Sequence, residues 1–155
     1  MSTESVDSSR ITHADPRCTY GCALLNRVIA GLLKGNEDLD EAVEDCRERA
    51  DGEPGTDELF DAVEDVSDLE PDEVSGTGYV VDTLQASLYY ALTAESFEDA
   101  VVNAVNGGGD TDTVGAVTGA VAGARFGETD IPNRWLSVTE SVDTVESVAE
   151  DIHQI

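Results

Sequence analysis

Asn106-Gly-Gly-Gly-Asp-Thr-Asp-Thr-Val-Gly-Ala-Val-Thr-Gly-Ala-Val-Ala-Gly-Ala-Arg-Phe-Gly127 is the stretch on which the fold turns. Its three leading glycines separate two helices. The second is predicted to start at the Asp-Thr-Asp-Thr turn and run to about Arg125. Within it Gly115, Gly119 and Gly123 recur every four residues and share one face. Each costs roughly 1 kcal/mol against alanine in a helix interior, so three on one stripe imply a second backbone packed closely there. The polar surroundings exclude a lipid-embedded pairing.

Outward from this stretch the period stays helical. Upstream, Ser96 caps a helix from Phe97 to about Val105, with Asp99 in the capping-box position. Residues 79–93 are the most apolar helix. A loop from Pro71 to Gly78 precedes it, and before that residues 57–66 form a short helix through Leu59, Phe60, Val63 and Val66. Asp51-Gly-Glu-Pro-Gly-Thr56 is a break. Residues 38–50 are an acidic amphipathic helix. Residues 17–34 are a helix with Asp15 as N-cap and Pro16 at the first position, stopped by Gly35-Asn36. Downstream, Ile131-Pro-Asn-Arg-Trp-Leu136 turns into a short helix, with Trp135 as a packing anchor under the glycine stripe. Residues 138–152 form a terminal amphipathic helix. Strand-like alternation is absent, so the expected fold is all-α. Residues 1–9 are polar and expected to be disordered.

Composition narrows the function. The 155 residues carry 34 acidic and 8 basic side chains, a net charge of -26. Such a field repels nucleic acid and disfavours anionic membrane surfaces. Lys34 is the sole lysine, and the acids are spread along the chain. That pattern points to a salt-rich cytoplasm, where ions screen the self-repulsion. Cys18, Cys22 and Cys46 are odd in number and lack a Cys-x-x-Cys spacing, which argues against a disulfide framework or a zinc site. No stretch is apolar enough to span a bilayer, and the first residues lack a basic and an apolar targeting segment. A cytoplasmic protein is expected.

Asp110-Thr111-Asp112-Thr113 carries the chemistry. Two carboxylates and a hydroxyl on one turn are oxygen ligands suited to a hard cation such as Mg²⁺. Gly108 and Gly109 let the backbone come close to a ligand, and the helix start behind them favours an anion. An N-cap aspartate followed by solvated acids would read the same way. His13 stands alone in a loop, and Tyr79 could be core or a stacking surface.

Three segments resemble the ADP-ribosylglycohydrolase family, which includes the dinitrogenase-reductase-activating glycohydrolases. The Gly-Gly-Asp-Thr-Asp-Thr-Val-Gly run with its following glycines and Ile131-Pro-Asn-Arg-Trp-Leu136 is similar to the family's C-terminal signature. Ser9-Arg-Ile-Thr-His-Ala-Asp-Pro-Arg-Cys18 resembles its Thr-His motif, and Gly78-Tyr-Val-Val-Asp-Thr-Leu84 its Gly-Tyr helix start. The resemblance implies an all-α, orthogonal multi-helix domain over residues 10–155, the C-terminal half of a longer all-helical fold. It implies Mg²⁺-dependent cleavage of ADP-ribose from a modified acceptor, with a pair of Mg²⁺ or Mn²⁺ ions. It makes Asp110, Asp112 and Thr113 metal ligands, and assigns substrate contacts to His13, Tyr79, Gly108 and Gly109, with Tyr79 on the adenine.

The family's Gly-Asp-Ala-x-Gly and Thr-Asp-Asp segments do not occur in these residues. Thr56-Asp57-Glu58 is superficially similar, but it opens an acidic helix and is read as an N-cap. The expectation is therefore a sequence that begins mid-domain, with only part of the two-metal site and with the catalytic residues elsewhere. ADP-ribose or an ADP-ribosylated protein is the expected partner. Two alternatives accompany the hydrolase reading. One is a non-catalytic ADP-ribose- and Mg²⁺-binding module. The other is a subunit completed by a separate N-terminal half, or self-associating through exposed apolar surface that includes part of the glycine stripe.

Overall fold

A computed structural model describes residues 3–36 and 38–154. Among them every regular element is helical: α1 (Thr3–Arg10), α2 (Pro16–Leu32), α3 (Leu39–Ala50), α4 (Thr56–Val63), α5 (Val80–Thr93), α6 (Phe97–Asn106), α7 (Thr111–Phe126), α8 (Asn133–Leu136) and α9 (Val142–His153), with 3₁₀ turns at Val66–Asp68 and Glu128–Asp130.

The helix starts follow local chemistry. Asp15 accepts from the Arg17 amide, and Pro16 takes the first position of α2, where a missing N–H costs nothing. Ser96 accepts from the Asp99 amide at 3.1 Å. A neighbouring free amide, that of Phe97, donates to Asp130 Oδ2 at 2.7 Å, so the turn after α7 helps cap α6.

The most apolar helix, α5, is central and packs against α2, α4, α6 and α7. Leu84 and Leu88 of α5 join Leu24 and Val28 of α2, Leu59, Phe60 and Val63 of α4, and Val121 of α7 in one buried cluster. Burying a side chain of this size contributes about 1.5–3 kcal/mol, so α5 is the element the rest of the fold is built on.

Three local expectations change. Residues 3–9, expected to be disordered, lie in α1, which runs on to Arg10, packs on α2 and buries Val6; residues 1 and 2 lie outside the described residues. The helix read over 57–66 ends at Val63, because Glu64 is extended and Asp65 is left-handed (φ 53°) before the 3₁₀ turn. The terminal helix begins at Val142, after a left-handed Ser141, and not at Val138.

The glycine stripe is also corrected. Gly115, Gly119 and Gly123 face α6, but a Cβ built on them would meet side chains and not backbone: Val105 Cγ2 at 3.2 Å, Val101 Cγ2 at 4.0 Å and Phe97 Cε2 at 3.9 Å. Only the first contact is tight. Phe97, Val101 and Val105 are spaced by four on α6, so two matched stripes run antiparallel. Trp135 meets the edge of Phe97, with ring centroids 6.1 Å apart, which anchors α8 beneath the stripe as expected.

Candidate functional site

A cleft of about 700 Å³ runs between α1, the start of α2, the start of α5 and the first turn of α7. His13, Arg17, Gly78, Tyr79 and Thr113 are among its lining residues. Residues from three separate sequence segments thus share one cavity. His13 sits in the tight turn after α1, where its amide donates to Ser9 O at 2.8 Å and the Ser9 hydroxyl donates to His13 O at 3.3 Å.

Tyr79 is the N-cap residue of α5, not its first turn, and is 38% exposed. Its backbone is fixed by Thr77. The Tyr79 amide donates to Thr77 Oγ1 at 3.2 Å, the Thr77 hydroxyl donates to Asp82 Oδ2 at 2.5 Å, and the Thr83 hydroxyl donates to Thr77 O at 2.9 Å. The Tyr79 hydroxyl donates to Glu58 Oε1 at 2.8 Å and accepts from Arg17 Nη1 at 2.9 Å. Burial first, and then the Glu58 bond, raise its phenol above the usual tyrosine range.

The acidic turn is held from the opposite side. The Asp110 amide donates to Gly76 O at 2.7 Å. Gly109 has φ +80°, and a Cβ there would lie 2.1 Å from Gly76 O, so glycine is required twice over. A Cβ on Gly78 would lie 3.1 Å from Asp110 Oδ2, so the carboxylate rests against the Gly78 backbone. Asp110 is the N-cap residue of α7, yet its side chain makes no capping bond. Asp15, Asp38 and Ser96 all spend theirs on capping, so plain N-capping does not describe Asp110. The neighbouring Asp112 carboxyl is held below the usual carboxylate range, by the Asp110 side chain first and by the Thr113 and Asp112 amides next.

The donor set at this turn is two carboxylates and the exposed Thr113 hydroxyl, all hard oxygens that suit Mg²⁺ or Mn²⁺. Among the described residues, no three His, Cys, Asp or Glu side chains gather as a metal-ligating group. The chemistry of the donors fits such an ion, while their number leaves its coordination incomplete.

Thr113 reaches the cleft directly, and Asp110 adjoins it across Gly78. Gly109 presses on Gly76, and Gly108 (φ +83°) has open space around it. Thr56-Asp57-Glu58 is not an N-cap: left-handed Gly55 takes that position, and Glu58 turns to Tyr79 and Arg17. The sequence assigns no site role to Arg17, Glu58, Gly76 or Thr77, although Glu58 and Gly78 lie in segments it marks as a helix start and a Gly-Tyr motif. Arg17 lies inside the Thr-His segment, but nothing local marks Glu58, because its partners are 41 and 21 residues away.

Fold and cleft define an all-helical domain with an aromatic wall, an imidazole and an acidic helix start around one cavity. The model of the ADP-ribosylglycohydrolase family matches residues 2–155, and the chain belongs to that family. It is 36% identical over 129 residues to ADP-ribosyl-(dinitrogen reductase) glycohydrolase of Rhodospirillum rubrum, covering 83% of this chain and 40% of that protein. It is 30% identical over 154 residues to ADP-ribosylarginine hydrolase Tri1 of Serratia proteamaculans, covering 96% and 39%. A shorter match, 32% over 63 residues, covers 41% of this chain and 17% of ADP-ribosylhydrolase ARH3 of Bos taurus. The chain therefore spans about 40% of the length of the first two relatives. Among the described residues no helix is long and apolar enough to cross a membrane.

Proposed function

We propose that these residues form the ADP-ribose-binding face and part of the metal site of an ADP-ribosyl hydrolase. The observation that carries the reading is the cleft itself, which brings His13, Tyr79 and Thr113 together beside a carboxylate, Asp110, that is not spent on its helix cap. A flat ring and an imidazole suit a nucleotide with its ribose, and hard oxygens suit a divalent ion beside it. Asp110, Asp112 and Thr113 would hold Mg²⁺ or Mn²⁺, which when bound supplies charge stabilisation and orientation of hydroxyls at the reacting sugar. Hydrolysis adds water across the bond between C1″ and the acceptor: the hydroxyl stays on C1″ and the proton leaves with the acceptor. The role of Tyr79 and His13 is to bind and orient. The substrate is an ADP-ribosylated protein, and the acidic composition suits a salt-rich cytoplasm.

A second reading is favoured by the donor count. Two carboxylates and a hydroxyl leave most positions of a six-coordinate ion to water, and displacement of about 1 Å can cost 10²-fold in rate. These residues by themselves are therefore expected to bind ADP-ribose without useful turnover. Calorimetry with ADP-ribose, with and without Mg²⁺ in molar KCl, tests both readings. Binding that is strengthened by Mg²⁺ and weakened in Asp112→Asn supports the proposal. Absence of ADP-ribose binding by the parent protein overturns it, and rapid release of ADP-ribose from a modified protein overturns the binding-only reading.

A further inference from the structure

A lone arginine in a cleft meant for a nucleotide is by default a phosphate ligand. The surroundings of Arg17 give it other work. Its Nε and Nη2 form a fork on the Asp15 carboxylate, each at 2.9 Å. Its Nη1 donates to Tyr79 Oη at 2.9 Å and to Glu58 Oε2 at 3.3 Å. The other Glu58 oxygen accepts from the Tyr79 hydroxyl at 2.8 Å, which closes a triangle of Arg17, Glu58 and Tyr79. The arrangement ties together the starts of α2, α4 and α5. It is built into the backbone: the Arg17 stem lies so close to Gly55 that a Cβ there would be 3.2 Å from its Cδ and Nε, and Gly55 has φ +85°.

Two consequences follow. Two carboxylates already neutralise the guanidinium, so it offers little charge to an anion. The Tyr79 hydroxyl both donates and accepts within the protein, so the cleft receives its ring and not its hydroxyl. We propose that Arg17, braced by Asp15 and Glu58, is the positioning residue that fixes Tyr79 as a rigid aromatic wall for the nucleotide. The proposal rests on the ADP-ribose reading of the cleft. Without the clasp an exposed side chain must be ordered on binding, and that ordering weakens affinity by roughly threefold to tenfold.

The test is a double-mutant cycle on ADP-ribose binding with Arg17→Gln, Tyr79→Phe and the double variant. Arg17→Lys is added because an ammonium cannot hold the same fork. If Arg17 acts through the Tyr79 hydroxyl, each single variant loses affinity and the double variant is no worse than the weaker single. Multiplicative losses would overturn the proposal and make Arg17 a direct ligand contact. A second measurement stands apart from binding. The chain has 4 tyrosines, and in ¹³C-tyrosine NMR the ring signal missing from Tyr79→Phe belongs to Tyr79. Both Arg17 variants should move that signal toward the solvent-averaged position while the other three stay in place. An unmoved Tyr79 signal sinks the clasp. Absence of ADP-ribose binding by the parent protein rejects the functional reading instead, and the ring signal still decides whether Arg17 positions Tyr79.

Discussion

The amide of Asp110 is bound to the carbonyl of Gly76 at 2.7 Å, so the acidic turn of α7 hangs from the loop that leads into Tyr79. Two parts of the cleft that are distant in sequence share one backbone contact. Gly109→Ala should break it. The new methyl would overlap Gly76 O, and the residue already has φ +80°. A left-handed alanine alone costs about 1–2 kcal/mol, and the backbone overlap adds to that. Urea unfolding should show a loss of at least this size. Gly108→Ala has the same φ problem but open space, so its loss should be the smaller of the two. Equal losses would mean the Gly76 contact contributes nothing.

The stripe on α7 behaves differently. At Gly119 a Cβ would meet Val101 Cγ2 at an ordinary 4.0 Å. Helix propensity then decides the sign, and Gly119→Ala should raise stability by about 0.5–1 kcal/mol. At Gly115 the approach to Val105 Cγ2 is 3.2 Å, so Gly115→Ala should gain less. Denaturant midpoints rank the pair, and a destabilised Gly119→Ala would show that the α6–α7 packing has no room.

This contrast shows what the sequence could and could not carry. The helices, the Asp15 and Ser96 caps and the Trp135 anchor were legible because each depends on residues a few positions apart. Glycine spacing revealed the face that α7 turns to a neighbour. It could not say that the neighbour offers the side chains of Phe97, Val101 and Val105, because depth of approach is a tertiary property. The polar residues of α1 gave no sign of burial, yet Val6 is buried and Asn26 of α2 donates to Ser5 Oγ at 3.1 Å, so the helix is seated on α2. In the site, the local motifs marked His13, Tyr79 and the acidic turn. The clasp around Tyr79 was hidden because Glu58 reaches it from another helix start.

The Asp15 carboxyl provides a pH test. Its hydrogen bonds with the Arg17 side chain first, and with the Arg17 amide next, lower it from 3.8 to about 2. A carboxyl that is more acidic when folded stabilises the fold above its unfolded value, near 3.8. That contribution is lost as pH falls from there through about 2. Carboxyl NMR should therefore find Asp15 titrating well below the exposed acids, and Arg17→Gln should return it toward the ordinary value. An Asp15 midpoint unaffected by Arg17→Gln would contradict the pairing.

The cysteines should differ in reactivity. Cys46 is buried, and burial pushes its thiol up to about 11. Burial also raises the partly covered Cys18, while Cys22 is exposed on the cleft side of α2. The thiolate is the reactive form, so reaction should follow access and acidity. A disulfide reagent added to the native protein should modify Cys22 first, and Cys46 only on unfolding. Mass-spectrometric mapping that found Cys46 modified in native buffer would place it outside the core.

Salt sets two electrostatic effects against each other. Screening weakens the ion pairs of Arg17, Arg27, Arg47 and Arg49, which lie at or near the surface. Pairs of that kind contribute about 0–1 kcal/mol each, and many contribute nothing measurable. Screening also weakens the mutual repulsion of a net charge of -26 spread over the whole chain. The repulsion is collective and acts over distances near the Debye length, which shrinks from about 10 Å at 0.1 M to about 3 Å at 1 M. It should be the larger effect, because 34 acids face only 8 bases. The thermal midpoint should therefore rise between dilute buffer and molar KCl. The gain should be on the order of 1–2 kcal/mol, or about 5 °C for a domain of this size. Sucrose at matched osmolality separates screening from general solute exclusion, since it strengthens burial without shielding charge. A midpoint that rises equally in sucrose, or that does not rise in KCl, would remove self-repulsion as the quantity this composition is tuned to.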